Sequence, residues 1–287
     1  MVVAGENARR PQTLCTPPRP CYPAAMPGNT ARLAAKWNAV FALRFYLPFS
    51  SFSRAYRGWW RAVRGRSDTH QQRTLLQEAP WQELIPSRPV CVVGARKANG
   101  NVRLSELAVL AKAAAAAPAG LSIIEIGTFD GRTTLNLAVN SPADTKVFTL
   151  DLPPDVTTRF ELEKGERQFV EKPAPGERYR RCRAPWSQSA VRITQLHGDS
   201  AVFDWSPYAG TAGLVFVDGS HTYEYAAGDS ETAFRLVASG GMIIWHDYGV
   251  WEGVTRALED LETARQLGLR KIRGTSLAFW RAPKVGQ

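Results

Sequence analysis

The stretch Ile124-Glu125-Ile126-Gly127-Thr128-Phe129-Asp130-Gly131 decides the fold. The apolar run 121–126 is too short for a helix and reads as a buried strand. Gly127 and Gly131 then drop their Cβ atoms where the chain must turn sharply, and 133–139 has a helical pattern. Upstream, an Ala/Leu-rich helix at 104–117 stops at Pro118 and Gly120. Working outward from this helix-strand-turn-helix unit, further short apolar runs predict strands at 147–150, 191–196, 214–217, 242–245 and 277–280. Helices are expected at 223–237 and 254–267. Nearly continuous apolar strands alternating with helices imply a mostly parallel sheet covered on both faces, a doubly wound α/β fold.

In such a sheet ligands bind beyond the carboxyl ends of the strands, where each strand turns into its helix. The polar residues gather there. Glu125, Gly127, Thr128, Asp130 and Gly131 follow the first strand of the motif, Asp151 ends the next, and Gly198, Asp199 and Ser200 follow the third. Asp218 to His221 follow the fourth, and His246, Asp247 and Tyr248 the fifth. Asp151, 26 residues after Glu125, can accept hydrogen bonds from two ribose hydroxyls. A dinucleotide site would use a similar acid, but the first turn lacks the GxGxxG pattern that a pyrophosphate requires. A nucleoside ligand without phosphate fits better.

These motifs in this order, ExGxxxG, the acid at Asp151, Gly-Asp-Ser, Asp-Gly-Ser-His and Gly-Gly-Met-Ile-Ile-Trp-His-Asp-Tyr, resemble class I S-adenosylmethionine-dependent methyltransferases. More narrowly, they resemble the bacterial branch that groups with small-molecule O-methyltransferases and cephalosporin-hydroxylase-like proteins. The resemblance covers about 102–280 and implies a seven-stranded Rossmann-like sheet and S-adenosylmethionine as cofactor. It places Glu125, Gly127, Thr128, Asp130 and Gly131 around the methionine moiety, Asp151 on the ribose, and Asp199 with Ser200 on the adenine amine. Asp218 would face the methionine amino group, the acceptor or a metal. In the catechol-type relatives an acid after this strand and two polar residues after the next hold a divalent cation. Asp218, His246 and Asp247 stand in those places, with His246 where a carboxylate is usual, which disfavours Mg²⁺. For a hydroxyl acceptor a proton must be removed, and His221, then His246, are the candidate bases. Methyl transfer to a small-molecule hydroxyl is the implied activity. The alternative is an S-adenosylmethionine-binding fold with a hydroxylase-associated or scaffold role.

The rest of the chain bounds this reading. Of 287 residues, 44% are hydrophobic and 22% charged, which suits one large domain with an extension. Residues 1–75 hold 12 Lys/Arg and 2 Asp/Glu, so the formal charge of +10 sits entirely there and the remainder is formally neutral. A nucleic-acid partner is therefore not expected. The prolines of 1–30 suggest a disordered tail. In 31–80, and above all in 36–66, aromatics interleave with arginines, as in a peripheral membrane or protein contact. The domain itself is assigned to 81–287. Cys15, Cys21, Cys91 and Cys182 show neither zinc spacing nor a disulfide framework, and no secretory signal or spanning run is present. A cytoplasmic protein, or one peripheral at a membrane, is expected. The stretch 152–192, with Arg178, Arg180, Arg181 and Arg183, is the expected acceptor-selecting element. Its arginines point to an anionic acceptor or simply to a solvated loop.

Overall fold

The strand carrying Glu125 is buried on both sides, and this fixes the layers. Its residues alternate between two cores, Ile123 toward one and Ile124 and Ile126 toward the other. The computed structural model describes residues 74–95, 102–171 and 175–284. The tail 1–30 and the aromatic segment 36–66 lie outside them. In chain order the elements are β1 (Gln77–Ala79), α1 (Trp81–Leu84), α2 (Leu104–Ala115), β2 (Ser122–Ile126), α3 (Arg132–Asn140) and β3 (Val147–Asp151). Three short helices follow: α4 (Arg167–Val170), α5 (Glu177–Arg180) and α6 (Ser187–Ala190). Then come β4 (Ile193–His197), β5 (Ala212–Val217), α7 (Tyr223–Leu236), β6 (Val237–Trp245), α8 (Glu252–Arg265), β7 (Arg270–Ile272) and β8 (Ala278–Arg281).

The strands form one sheet in the order β1-β7-β8-β6-β5-β2-β3-β4. All neighbouring pairs are parallel except β6 with β8 and β7 with β8. One face buries Leu107, Leu110 and Ala114 of α2 and Leu137 of α3 against Ile123, Leu214, Phe216 and Ile244. The other buries Ala233 and Leu236 of α7 and Val254 and Leu258 of α8 against Ile124, Leu150, Val215 and Ile243. Each Leu, Ile, Val or Phe among these contributes about 1.5–3 kcal/mol by leaving water. No helix among the described residues is long and apolar enough to cross a membrane.

The doubly wound α/β fold is as expected, with eight strands in place of seven. The additional edge strand, β1, reads Gln-Glu-Ala and has no apolar periodicity. It is held by pairing with β7, and it lies in the part of the chain assigned by composition to the extension. β4 starts at Ile193, because Val191, apolar but 82% exposed, closes α6 instead. Among its described residues, the stretch 152–192 holds three helical turns, and Leu162, Glu166, Phe169 and Val170 lie over the carboxyl edge of the sheet.

The order of strand addition reverses between the parallel neighbours β2 and β5. From β2 the sheet grows through β3 to β4, and from β5 it grows through β6 on the other side. Beyond their carboxyl ends the chain leaves toward opposite faces, to α3 on one and α7 on the other, and a ligand can enter between the following loops.

Candidate active site

Gly127 makes this switch point narrow. Its φ is +97°, and a Cβ placed there would lie 2.0 Å from the backbone oxygen of Asp218. The close approach is sealed by hydrogen bonds from Gly127 N–H to the Leu150 carbonyl (2.8 Å) and from Asp218 N–H to the Ile126 carbonyl (2.8 Å). The loops after β2, β3, β4 and β5 thus ring one cleft, and the insertion roofs it through Leu162, Glu166, Phe169 and Val170.

Eight of the eleven residues singled out from the sequence line this cleft: Gly127, Thr128, Asp130, Asp151, Asp199, Ser200, Asp218 and His221. Asp151 accepts the amides of Phe129 (2.8 Å) and Leu152 (2.9 Å), which orients its carboxylate toward the first turn. Asp199 likewise accepts the amides of Arg159 (2.7 Å) and Ala201 (3.0 Å). Thr128 is fixed by the Thr149 hydroxyl (2.6 Å) and by Gln195 (2.9 Å). Ser200 lies above Asp229, a wholly buried acid that burial pushes up to about 7.

Three of the eleven do not line it. Glu125 lies inside the sheet, where Oε2 accepts the hydroxyls of Thr134 and Thr149. Burial pushes its carboxyl up to about 8, so it is largely protonated at neutral pH. Gly131 lets the insertion dock, since a Cβ would lie 2.7 Å from the Tyr179 ring. His246 is 1% exposed and sits behind Asp218 and Asp247. Asp130, although it lines the cleft, serves the insertion: Oδ2 accepts Arg178 Nε at 2.6 Å and Oδ1 accepts Arg132 N–H.

His221 reaches the cleft with both ring nitrogens engaged. Nε2 lies 2.8 Å from Asp247 Oδ2, Nδ1 pairs with Glu166 Oε1, and the ring stacks on Trp251 with centroids 4.5 Å apart. Glu166 also accepts the His221 amide (2.6 Å) and the Ser220 hydroxyl (2.8 Å). Burial alone would depress the imidazole, but Asp247 and Glu166 prevail and hold it at about 9. In this arrangement it is an imidazolium anchored between two carboxylates and has no lone pair for a proton. Behind it, His246 Nε2 meets Glu106 Oε2 at 3.3 Å, and Nδ1 lies 2.9 Å from Asp218 Oδ1 and 3.1 Å from Asp247 Oδ2. Burial lowers the His246 pKa less than these carboxylates raise it, so this point favours positive charge. Asp247 is held here with φ +62°, a conformation few non-glycine residues adopt outside functional loops.

Glu106 and Glu166 were not legible in the sequence. They meet their histidines across 140 and 55 residues. Glu106 carried one local signal, an acid among the apolar positions of α2. Glu166, in a charged loop, carried none.

Six carboxylates line the cleft: Asp130, Asp151, Glu166, Asp199, Asp218 and Asp247. Its basic groups are His221, paired as above, and Arg132, whose guanidinium is engaged by the carbonyls of Gly94 (3.2 Å) and Val102 (2.9 Å). A polyphosphate would meet repulsion here, whereas a cationic nucleoside would be attracted. The arginines of the insertion do not reach the cleft. Arg178 pairs with Asp130 and Arg181 with Glu177.

Residues 124–248, from the first turn to the loop after β6, match the family model described as a methyltransferase domain. No curated protein matches the sequence. Similar solved structures include the O-methyltransferase NovP, with 16% identity over 66% of this chain and 84% of that one, at a TM-score of 0.47. A calicheamicin methyltransferase has 15% identity over 65% and 82%, at 0.44. The O-methyltransferase TomG from Streptomyces achromogenes, a tomaymycin-synthesis protein, has 16% identity over 63% and 82%, at 0.43. Over residues 124–248, then, this chain is similar to the methyltransferase-domain family.

Proposed function

We propose that the protein transfers the methyl group of S-adenosylmethionine to a hydroxyl of a small molecule, such as a sugar or a secondary metabolite. The observation that carries this reading is the acidic cleft, whose six carboxylates all lie within the residues that match the methyltransferase-domain model and which has no unpaired basic side chain among those lining it. The cofactor is cationic at both its sulfonium and its ammonium and carries no phosphate. Asp151 is suited to the ribose hydroxyls, Asp199 and Ser200 to the adenine, and Gly127 with Thr128 to the methionine end. Phe129, Phe169, Leu162 and Val170 offer the acceptor an apolar, partly aromatic wall, and Phe129 and Phe169 meet edge to face at 5.5 Å.

The sulfonium is already activated, so the work left to the protein is alignment and proton removal. The acceptor oxygen bonds to the methyl carbon, the carbon–sulfur bond breaks toward neutral S-adenosylhomocysteine, and the hydroxyl proton leaves to the protein. Both nitrogens of His221 are taken, so this proton passes to the Glu166–His221–Asp247 unit through a carboxylate facing the cleft. A panel of phenolic and sugar hydroxyl acceptors, assayed for S-adenosylhomocysteine release and for label transfer from methyl-labelled cofactor, tests the reading. Labelled product is expected. Cofactor binding with no transfer to any hydroxyl acceptor in the panel would count against O-methylation.

A further inference from the structure

Ser200 meets a buried carboxylate from below. Asp229, on α7, is 1% exposed, and the Ser200 hydroxyl donates to it. Its Oδ2 is buried without a hydrogen bond, against Gly219, where a Cβ would stand 2.9 Å away. Ser200 and Gly219 both line the cleft, so this acid lies directly beneath the cleft floor, between the loops after β4 and β5. One turn earlier on the same side of α7, Tyr225 faces Asp199. A single turn of this helix therefore supports both residues of the Asp199-Ser200 corner. The other polar groups of that corner are already engaged. The Ser200 carbonyl accepts Trp205 Nε1 (3.2 Å), and the Asp199 carboxylate holds the amides of Arg159 and Ala201. What remains to be set is the direction of the Ser200 O–H.

We infer that Asp229 is a positioning residue that fixes Ser200 as a hydrogen-bond acceptor toward the cleft, and so selects a 6-aminopurine over a 6-oxopurine at the base of the cofactor. The inference rests on the assignment of the cleft to S-adenosylmethionine and adds the residue that sets base specificity. A hydroxyl carries one hydrogen and two lone pairs. With that hydrogen spent on the carboxylate beneath it, Ser200 Oγ turns only lone pairs to the cleft. The amine of adenine supplies a donor to them. The carbonyl of hypoxanthine would instead set lone pair against lone pair and leave both unpaired. The arrangement depends on the charge of Asp229. Burial pushes this carboxyl up to about 7, the Asp199 carboxylate adds to the rise, and the Ser200 hydroxyl opposes it. Among the described residues, the titratable groups facing Asp229 are Asp199 from the loop after β4 and Tyr225 from α7 itself, and the loop after β5 presents Gly219. Above that value the carboxylate has no hydrogen, and Ser200 supplies one. Below it the acid carries its own hydrogen and donates it to Ser200 Oγ, which frees the Ser200 hydrogen for the cleft.

The test uses the full chain and two ligands that differ in the amino or oxo group at purine position 6, S-adenosylhomocysteine and S-inosylhomocysteine, titrated calorimetrically at pH 6.0 and 8.0. The readout is the ratio of their affinities. At pH 8.0 the unsubstituted chain is expected to favour the adenine ligand, and at pH 6.0 this preference should fall by roughly tenfold. Asp229→Asn has the shape of the protonated acid and does not titrate, so its ratio should be low and equal at the two pH values. Ser200→Ala, at a partly exposed position, removes the oxygen itself and should give the same pH-independent loss of preference. An acid with a merely structural role would weaken both ligands alike and leave the ratio unmoved. Binding of S-adenosylhomocysteine with a ratio equal at the two pH values in the unsubstituted chain would overturn the inference alone. So would a ratio that both variants leave as it was. Binding of neither ligand by the unsubstituted chain would overturn the assignment of the cleft to the methyl donor, and the inference with it.

Discussion

Replacing Glu125 by glutamine tests how the sheet treats the acid of its own signature motif. Burial pushes this carboxyl from 4.5 up to about 8, against the hydroxyls of Thr134 and Thr149, which favour the ionised form. In the unfolded chain the group titrates near its ordinary value. Below pH 4.5 both states are protonated and the residue costs nothing. As pH rises, the unfolded chain loses its proton first, so stability falls steadily until the folded carboxyl ionises near pH 8. At about 1.4 kcal/mol per unit, the loss between pH 5.5 and 8.0 is about 3 kcal/mol. Glutamine has the shape of the protonated acid and does not titrate. Urea unfolding of both proteins at the two pH values, followed by tryptophan fluorescence, isolates the effect, since every other group titrates alike in each. The variant should gain about 3 kcal/mol on the parent between pH 5.5 and 8.0, and its affinity for S-adenosylmethionine should be unchanged because Glu125 does not line the cleft. A gap that stays constant within 1 kcal/mol would refute the buried, protonated carboxyl.

Gly127→Ala should destabilise the chain by about 2–5 kcal/mol in the same unfolding assay, from the left-handed backbone and the contact with the Asp218 carbonyl. Gly120→Ala, also at positive φ but with nothing within 4 Å, should cost only about 1–2 kcal/mol, so the difference reads the close approach itself. Arg178→Ala removes the ion pair between the insertion and Asp130 and leaves the Arg178 amide on the Asp130 carbonyl. Limited proteolysis within 152–192 should become faster by roughly tenfold while the sheet, measured by circular dichroism, is retained.

The sheet was legible because its strands are buried on both sides, so Ile123, Ile124, Val215 and Ile243 had to be apolar whichever way they face. β1 and β7 were not, since Gln77–Ala79 and Arg270–Ile272 are three-residue strands at one end of the sheet whose pairing partners, not their composition, make them strands. Within the cleft, Asp151, Asp199 and Asp218 could be placed because each ends or follows a strand. Roles were harder to read than places. Asp130 was grouped with the cofactor residues by its position in the turn, yet its carboxylate is occupied by Arg178, 48 residues away. His221 was read as a base from its residue type, but its protonation is governed by Glu166 and Asp247, which the chain brings from two other segments. Charge pairing across long sequence separations leaves no periodic trace.

The measurement that bears most directly on the account is a calorimetric titration of the full chain with S-adenosylmethionine, repeated on Asp151→Asn. One site per chain is predicted, with affinity weakened by roughly 10- to 100-fold in the variant, as expected for losing hydrogen bonds to a charged acceptor. Absence of binding by the unsubstituted chain, or equal affinity in the two proteins, would contradict the assignment of this cleft to the methyl donor.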